Sequence, residues 1–220
     1  MFISPHVDDE TLGCGGTILK HKKNGDEIYW LIITAPSVNQ PLGFSKEMVR
    51  QREGEIEKVA QLYGFLKTIQ LNFPAISLDT INFNELITKI DDAIETIHPQ
   101  EIYLINRSDI HSDHRITFQA VYACTKNFRK SYIRRILMYE TLSETEMSPA
   151  LIENVFMPNV FTDITDFMEK KLEIMSVYEN DVMTDNLPRS LSAIRALAGY
   201  RGSRIGVKYA EAFMLIFEKN

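Results

Sequence analysis

The chain has 220 residues, 45% hydrophobic and 25% charged, which is enough apolar material for one packed core and excludes a disordered segment. A net charge of −6 and a pI near 5.4 argue against nucleic acid as a partner, and no apolar run approaches the roughly 20 residues needed to span a bilayer. Cys14 and Cys124 make neither a disulfide framework nor a CxxC pair, and only three residues separate Met1 from Pro5, so no signal peptide and a cytoplasmic setting are expected. In chain order, "FIS" reads as the end of a first strand, "TILKHKKNG" as a helix closed by Gly25, and "EIYWLIIT" as a buried strand, followed by a loop at "APSVNQPLG". Residues 45–63 place Met48, Val49, Ile56, Val59 and Leu62 at helical spacing, with Gly64 just beyond. "TIQL" is a short strand, and 82–99 is a helix with Asn82 or Asn84 as cap and Pro99 past its end. "EIYLI" is the next strand, 114–129 a helix, and "RRILMYE" a further strand. Residues 141–160 read as irregular or extended, 164–178 as helical, "LPRSLSAIRALAGY" as a helix with Pro188 near its first turn, and "EAFMLIF" as a closing strand. Strands alternating with helices predict a single α/β domain over 1–220, Rossmann-like, with a mainly parallel sheet flanked by helices.

Two polar clusters interrupt this pattern, "HVDDE" at 6–10 and "HSDHR" at 111–115, and each follows an apolar strand and opens a helix. Ligands in open α/β sheets bind outside the carboxyl ends of the strands. Acidic residues in a first helical turn complement the helix dipole, which by itself explains Asp8, Asp9 and Glu10. The histidines shift the balance: His6 with a carboxylate three residues on, plus His114 from another strand end, makes a three-ligand set that leaves a fourth zinc position open. Of the five histidines, His21 and His98 sit in ordinary helix contexts. "GCGG" lacks dinucleotide-binding spacing, so Gly13, Gly15 and Gly16 point to close backbone packing, and Cys14, with no base assigned to it, to a small packing residue.

These motifs resemble the PIG-L/LmbE-like zinc-dependent N-deacetylases. "PHVDDETLGCGGTI" is similar to that family's PHPDDE signature and glycine-rich helix start, with Val7 replacing the second proline, and "HSDHR" is similar to its HPDHR signature. "RQREGEIEKVAQLYG", "YETLSETEMSP" and "RGSRIGVKYAEAF" resemble its Arg/Glu helix, substrate-facing loop and C-terminal segment. The resemblance implies that His6, Asp9 and His114 bind one zinc ion, that Asp8 is the general base, and that His111, as an imidazolium, faces the developing oxyanion. Imidazole and carboxylate ligands also suit iron(II) or cobalt. Asp113 is either a carboxylate orienting a histidine or a helix cap, and Arg52 either helps build the substrate pocket or pairs with Glu55 on its own helix. Ala75 stands where many relatives carry aspartate, which puts one sugar-hydroxyl contact in doubt.

The expected activity is hydrolysis of an N-acetyl group from an N-acetylglucosamine-type sugar or conjugate, releasing acetate and a free amine. A carbohydrate or nucleotide-sugar binding protein with a degenerate site, and a metal-dependent phosphoesterase, are the competing readings. A homo-oligomer is left open, and the carrier on the sugar is unassigned.

Overall fold

A computed structural model describes residues 1–38 and 43–220. Residues 39–42 of the expected loop at 35–43 therefore lie outside the described residues. The elements are β1 (Phe2–Ser4), α1 (Asp9–Asn24), β2 (Tyr29–Ala35), α2 (Lys46–Tyr63), β3 (Lys67–Pro74), α3 (Phe83–Ile97), β4 (Glu101–Ile105), α4 (Ser112–Ala123), β5 (Arg135–Tyr139), β6 (Val160–Asp163), α5 (Met168–Met175), α6 (Leu191–Ser203) and β7 (Ala210–Glu218).

Among the described residues the sheet has seven strands in the order β3-β2-β1-β4-β5-β7-β6. β1 to β5 run parallel, and β7 is antiparallel to both β5 and β6. The continuous apolar runs explain this arrangement: Leu31, Ile32 and Ile33 of β2 and Ile102, Leu104 and Ile105 of β4 are all buried, as strands covered on both faces require. The chain leaves β1 toward β2 on one side and reaches β4 on the other, with Phe2 opposite Trp30 and also opposite Tyr103. The order thus reverses between β1 and β4, so a crevice opens at their carboxyl ends. Both polar clusters leave the sheet there.

Four local expectations change. α1 starts at Asp9, and its glycines lie inside the helix rather than before it. A Cβ on Gly13 would sit 2.2 Å from Tyr139 Cδ2, and one on Gly16 would sit 2.5 Å from Ile164 Cγ2, so close approach outweighs the poor helix propensity of glycine. α4 ends at Ala123 instead of 129, because the chain turns to enter β5: Asn127 donates to the Ile133 carbonyl at 3.2 Å, and Arg129 N–H donates to Lys126 O at 2.9 Å. Pro188 precedes α6, whose N-cap is Ser190, its hydroxyl accepting from Ala193 N–H at 3.1 Å. β6 is a strand with no counterpart among the expected elements: it begins at the last residue of the segment read as irregular or extended and runs on to Asp163, defined by its pairing with β7.

One buried ion pair fixes α1 from below. Glu211 accepts from Gly16 N–H at 2.8 Å and Thr17 N–H at 2.7 Å, while Lys171 donates to Glu211 at 2.7 Å and to the Leu12 carbonyl at 2.8 Å. Leu12 O is the ordinary acceptor for Gly16 N–H in a helix. The pair therefore binds two N–H groups and one carbonyl of α1, which holds the helix against α5 and β7.

Candidate active site

The β1 to α1 turn is tight. Asp8 adopts φ 109°, ψ −30°, a region that L residues rarely occupy. Its N–H donates to Glu10 Oε2 at 3.1 Å, and its carbonyl accepts from Thr11 N–H and Leu12 N–H at 3.0 and 2.8 Å. Glu10, fully buried, also accepts from Thr11 Oγ1 at 2.6 Å and Tyr178 Oη at 2.7 Å. Surroundings that over-determine such a strained residue are typical of functional turns.

Three donor atoms converge above this turn. His6 Nδ1 lies 3.2 Å from His114 Nε2, His114 Nε2 lies 3.4 Å from Asp9 Oδ2, and Asp9 Oδ2 lies 3.5 Å from His6 Nδ1. For a tetrahedral ion with ligand bonds of 2.0–2.1 Å, neighbouring ligand atoms stand about 3.3 Å apart, so the triangle has the dimensions of one face of such a site. The imidazoles of His6, His111 and His114 together also form a group able to hold a metal, with one nitrogen of each within 4.8 Å of the others. The tighter triangle uses Asp9 in place of His111, whose Nδ1 accepts from Asp113 N–H at 3.1 Å and caps α4.

Buried carboxylates orient both rings of the triangle. Asp113 Oδ2 lies 3.0 Å from His6 Nε2 and accepts from Ile76 N–H at 2.6 Å, while its Oδ1 accepts from Leu78 N–H at 3.1 Å. Asp109 Oδ2 lies 2.8 Å from His114 Nδ1, and its Oδ1 accepts from Asn106 at 2.7 Å and from Thr145 at 2.7 Å. With a proton on each carboxylate-facing nitrogen, His6 Nδ1 and His114 Nε2 keep their lone pairs for the centre of the triangle. Asp113 thus contacts His6 and two loop N–H groups; the cap of α4 is His111.

The electrostatics favour positive charge at this point. Burial disfavours the His6 cation, but Asp113 and Asp9 outweigh it and raise the ring to about 10. Burial acts against ionised Asp9 as well, yet His114 and His6 pull it down to about 2. Asp8 is pushed well above the usual carboxylate range by burial and by Asp9 and Asp181, with Arg189, 3.3 Å away, acting in the opposite direction. His111 differs from its expected state. Burial, then the neighbouring His6 and His114, lower it to about 4, so at neutral pH the ring is uncharged and, with Nδ1 accepting, carries its proton on Nε2.

A cavity of about 430 Å³ opens over the triangle, lined by His6, Asp8, Asp9, His111 and His114 and also by Arg52, Asp181, Arg189 and Glu144. Arg52 pairs with Asp181 at 2.7 Å and with Glu55 at 3.2 Å, so it lines the cavity and makes the same-helix ion pair at once. Ala75 also lines it, without a polar group to offer. Sequence reasoning missed Asp109, Asp181 and Arg189, and reached Glu144 only as part of the segment likened to a substrate-facing loop. Asp109 stands five residues before His114, a spacing that a strand-to-helix loop makes hard to read, and the other three come from loops whose approach depends on the tertiary fold.

Residues 1–125 match the family described as PIG-L, GlcNAc-PI de-N-acetylase. The chain is 27% identical to a diacetylchitobiose deacetylase of Thermococcus kodakarensis over 97% of its length and 81% of the relative's. It is 21% identical to a probable N-acetyl-α-D-glucosaminyl L-malate deacetylase 2 of Bacillus anthracis, over 84% of this chain and 81% of that one. A solved N,N'-diacetylchitobiose deacetylase from Pyrococcus horikoshii, complexed with an inhibitor, superposes with a TM-score of 0.76 at 25% identity, covering 98% of this chain and 82% of that chain.

Proposed function

The chain belongs to the PIG-L family of de-N-acetylases, and on that premise we propose that it hydrolyses the acetamide of an N-acetylglucosamine-type sugar or conjugate with one zinc ion held by His6, Asp9 and His114. The observation that carries the reading is the triangle of ligand atoms at 3.2–3.5 Å, oriented by buried carboxylates at the floor of a sugar-sized cavity. A divalent ion there supplies Lewis acidity, polarising a carbonyl and making a water nucleophilic near neutral pH. The same charge opposes the burial that raises Asp8.

Asp8, fixed in its strained turn, takes a proton from the attacking water as the new C–O bond forms. His111 donates from Nε2–H to the developing oxyanion as a neutral ring. Asp8 then returns the proton to the leaving nitrogen, the C–N bond breaks, and acetate and a free amine depart. Arg189 stands against Asp8 and Arg52 braces the wall through Asp181. Among the described residues no helix is long and apolar enough to cross a membrane, and the two free, buried cysteines fit the reducing cytoplasm we assign.

The decisive experiment separates holding the metal from using it. His6→Ala, Asp9→Ala and His114→Ala should each lose bound metal by elemental analysis. Asp8→Asn should keep it and lose kcat by roughly 10²–10⁴, and His111→Ala should keep it and lose roughly 10²–10³. Full metal content in all three ligand variants, or normal turnover by Asp8→Asn, would reject the assignment.

A further inference from the structure

The cavity wall has a definite sign. Its ionisable lining, histidines apart, comprises the carboxylates of Asp8, Asp9, Glu55, Glu144 and Asp181 and the guanidiniums of Arg52 and Arg189. Both guanidiniums are already committed, Arg52 to Asp181 and Glu55, and Arg189 to Asp8. Arg189 Nε is buried without a hydrogen-bond partner, a donor that a hydroxyl or carbonyl oxygen satisfies without bringing in charge. Five carboxylates thus stand against two guanidiniums.

Glu144 stands apart from the other four carboxylates. It follows β5 in the loop that faces the crevice, and among the described residues it is the lining carboxylate that forms no ion pair. Its Oε1 accepts from Ser143 Oγ at 3.2 Å, and its carbonyl accepts from Ile110 N–H at 3.2 Å, which ties the loop to the segment carrying His111 and His114. Ser143 holds a left-handed φ of 76°, a turn that sets the direction of the residue after it. The carboxylate retains acceptor positions for hydroxyl donors, and Phe44, Met48, Ile76 and Leu142 give the same cavity apolar surface for the C–H faces of a sugar ring.

We propose that this cavity selects acetamido sugars whose flanking groups are uncharged and hydroxyl-rich, and rejects those bearing a phosphate or carboxylate there, with Glu144 as the discriminating residue. The inference rests on the deacetylase reading and deepens it. An uncharged sugar satisfies the free acceptors by donating its hydroxyls. An anionic group finds, among the described residues, no lining guanidinium without a carboxylate partner and meets like charge in a partly enclosed space, which is discrimination by repulsion.

The test compares acetate release by the metal-loaded protein from N-acetylglucosamine, N,N'-diacetylchitobiose and N-acetylglucosamine 6-phosphate. At low ionic strength kcat/KM for the better uncharged sugar should exceed that for the phosphate by at least tenfold, and the gap should shrink as salt screens the wall. Glu144→Gln should narrow the gap several-fold, mainly by lowering KM for the phosphate. Equal or faster turnover of the phosphate, or a gap indifferent to both salt and Glu144→Gln, would overturn the proposal. Acetate from none of the three would defeat the deacetylase reading instead. Calorimetric titration of chitobiose against glucosamine 6-phosphate then decides charge preference alone: tighter binding of chitobiose supports the inference, and tighter binding of the phosphate overturns it.

Discussion

Asp109 and Asp113 act on the site through the rings they hold. Each is fully buried, and each spends one oxygen on a histidine and its remaining capacity on fixed donors. Removing such a partner frees the ring to rotate or change tautomer, so Asp109→Ala and Asp113→Ala should weaken metal binding about 10–100-fold. Chelator competition measures this directly, and unchanged affinity beside a lowered Tm would reduce both residues to packing. Asp109→Asn should recover little, because its amide can present N–H to His114 Nδ1 and drive the ring proton to the wrong nitrogen. His111 carries a related lesson. The imidazolium expected from its motif gives way to an uncharged ring because burial and two imidazoles surround it, a crowding visible only once the two strand ends meet.

Among the elements, α2 and α3 follow their sequence patterns closely, and α3 adds an electrostatic tie. Lys130, buried beyond the end of α4, donates to Glu95 at 2.5 Å and to Asp91 at 2.8 Å. The Lys130 hydrogen bond holds Glu95 below its ordinary value of 4.5. A carboxylate depressed in the folded state binds fewer protons there than in the unfolded chain. Its contribution is therefore present above pH 4.5 and lost as pH falls through the lower folded value. Glu95→Gln should flatten the acid side of the Tm profile and leave the neutral region little changed, since the Glu95 carboxylate is exposed. A parallel acid limb in wild type and variant would remove this tie from the account.

The whole molecule contains a core that does not need the metal. The buried faces of β1, β2, β4 and β5 pack without any contribution from the ligand atoms, which sit beyond the strand ends. Chelation should therefore lower Tm without unfolding the chain. Metal at about 100 times its Kd adds roughly 2.7 kcal/mol, which for a chain of this size is about 5–10 °C. Far-ultraviolet circular dichroism and calorimetry, with and without chelator, check this. A metal-free protein already unfolded at 25 °C would show that the site builds the fold rather than resting on it.

The sequence by itself determined the alternation of strands and helices and the two motifs at strand ends. Its motifs, through their resemblance to a family's signatures, also pointed to His6, Asp8, Asp9, His111 and His114 as polar groups of one site, while leaving Asp113 open between that site and a helix cap. Periodicity and a helix-opening turn are written within about ten residues. Only the tertiary structure decided that Arg52 serves both its pocket and its same-helix partner, that Asp113 faces His6 while His111 caps α4, and that the glycines of α1 lie inside it. It alone brought Asp109, Arg189, Asp181 and Glu144 to the crevice. These are properties of pairs far apart in sequence, set by how the strand order reverses between β1 and β4 and by which loop then reaches across the opening. No spacing within one segment encodes a distance between two.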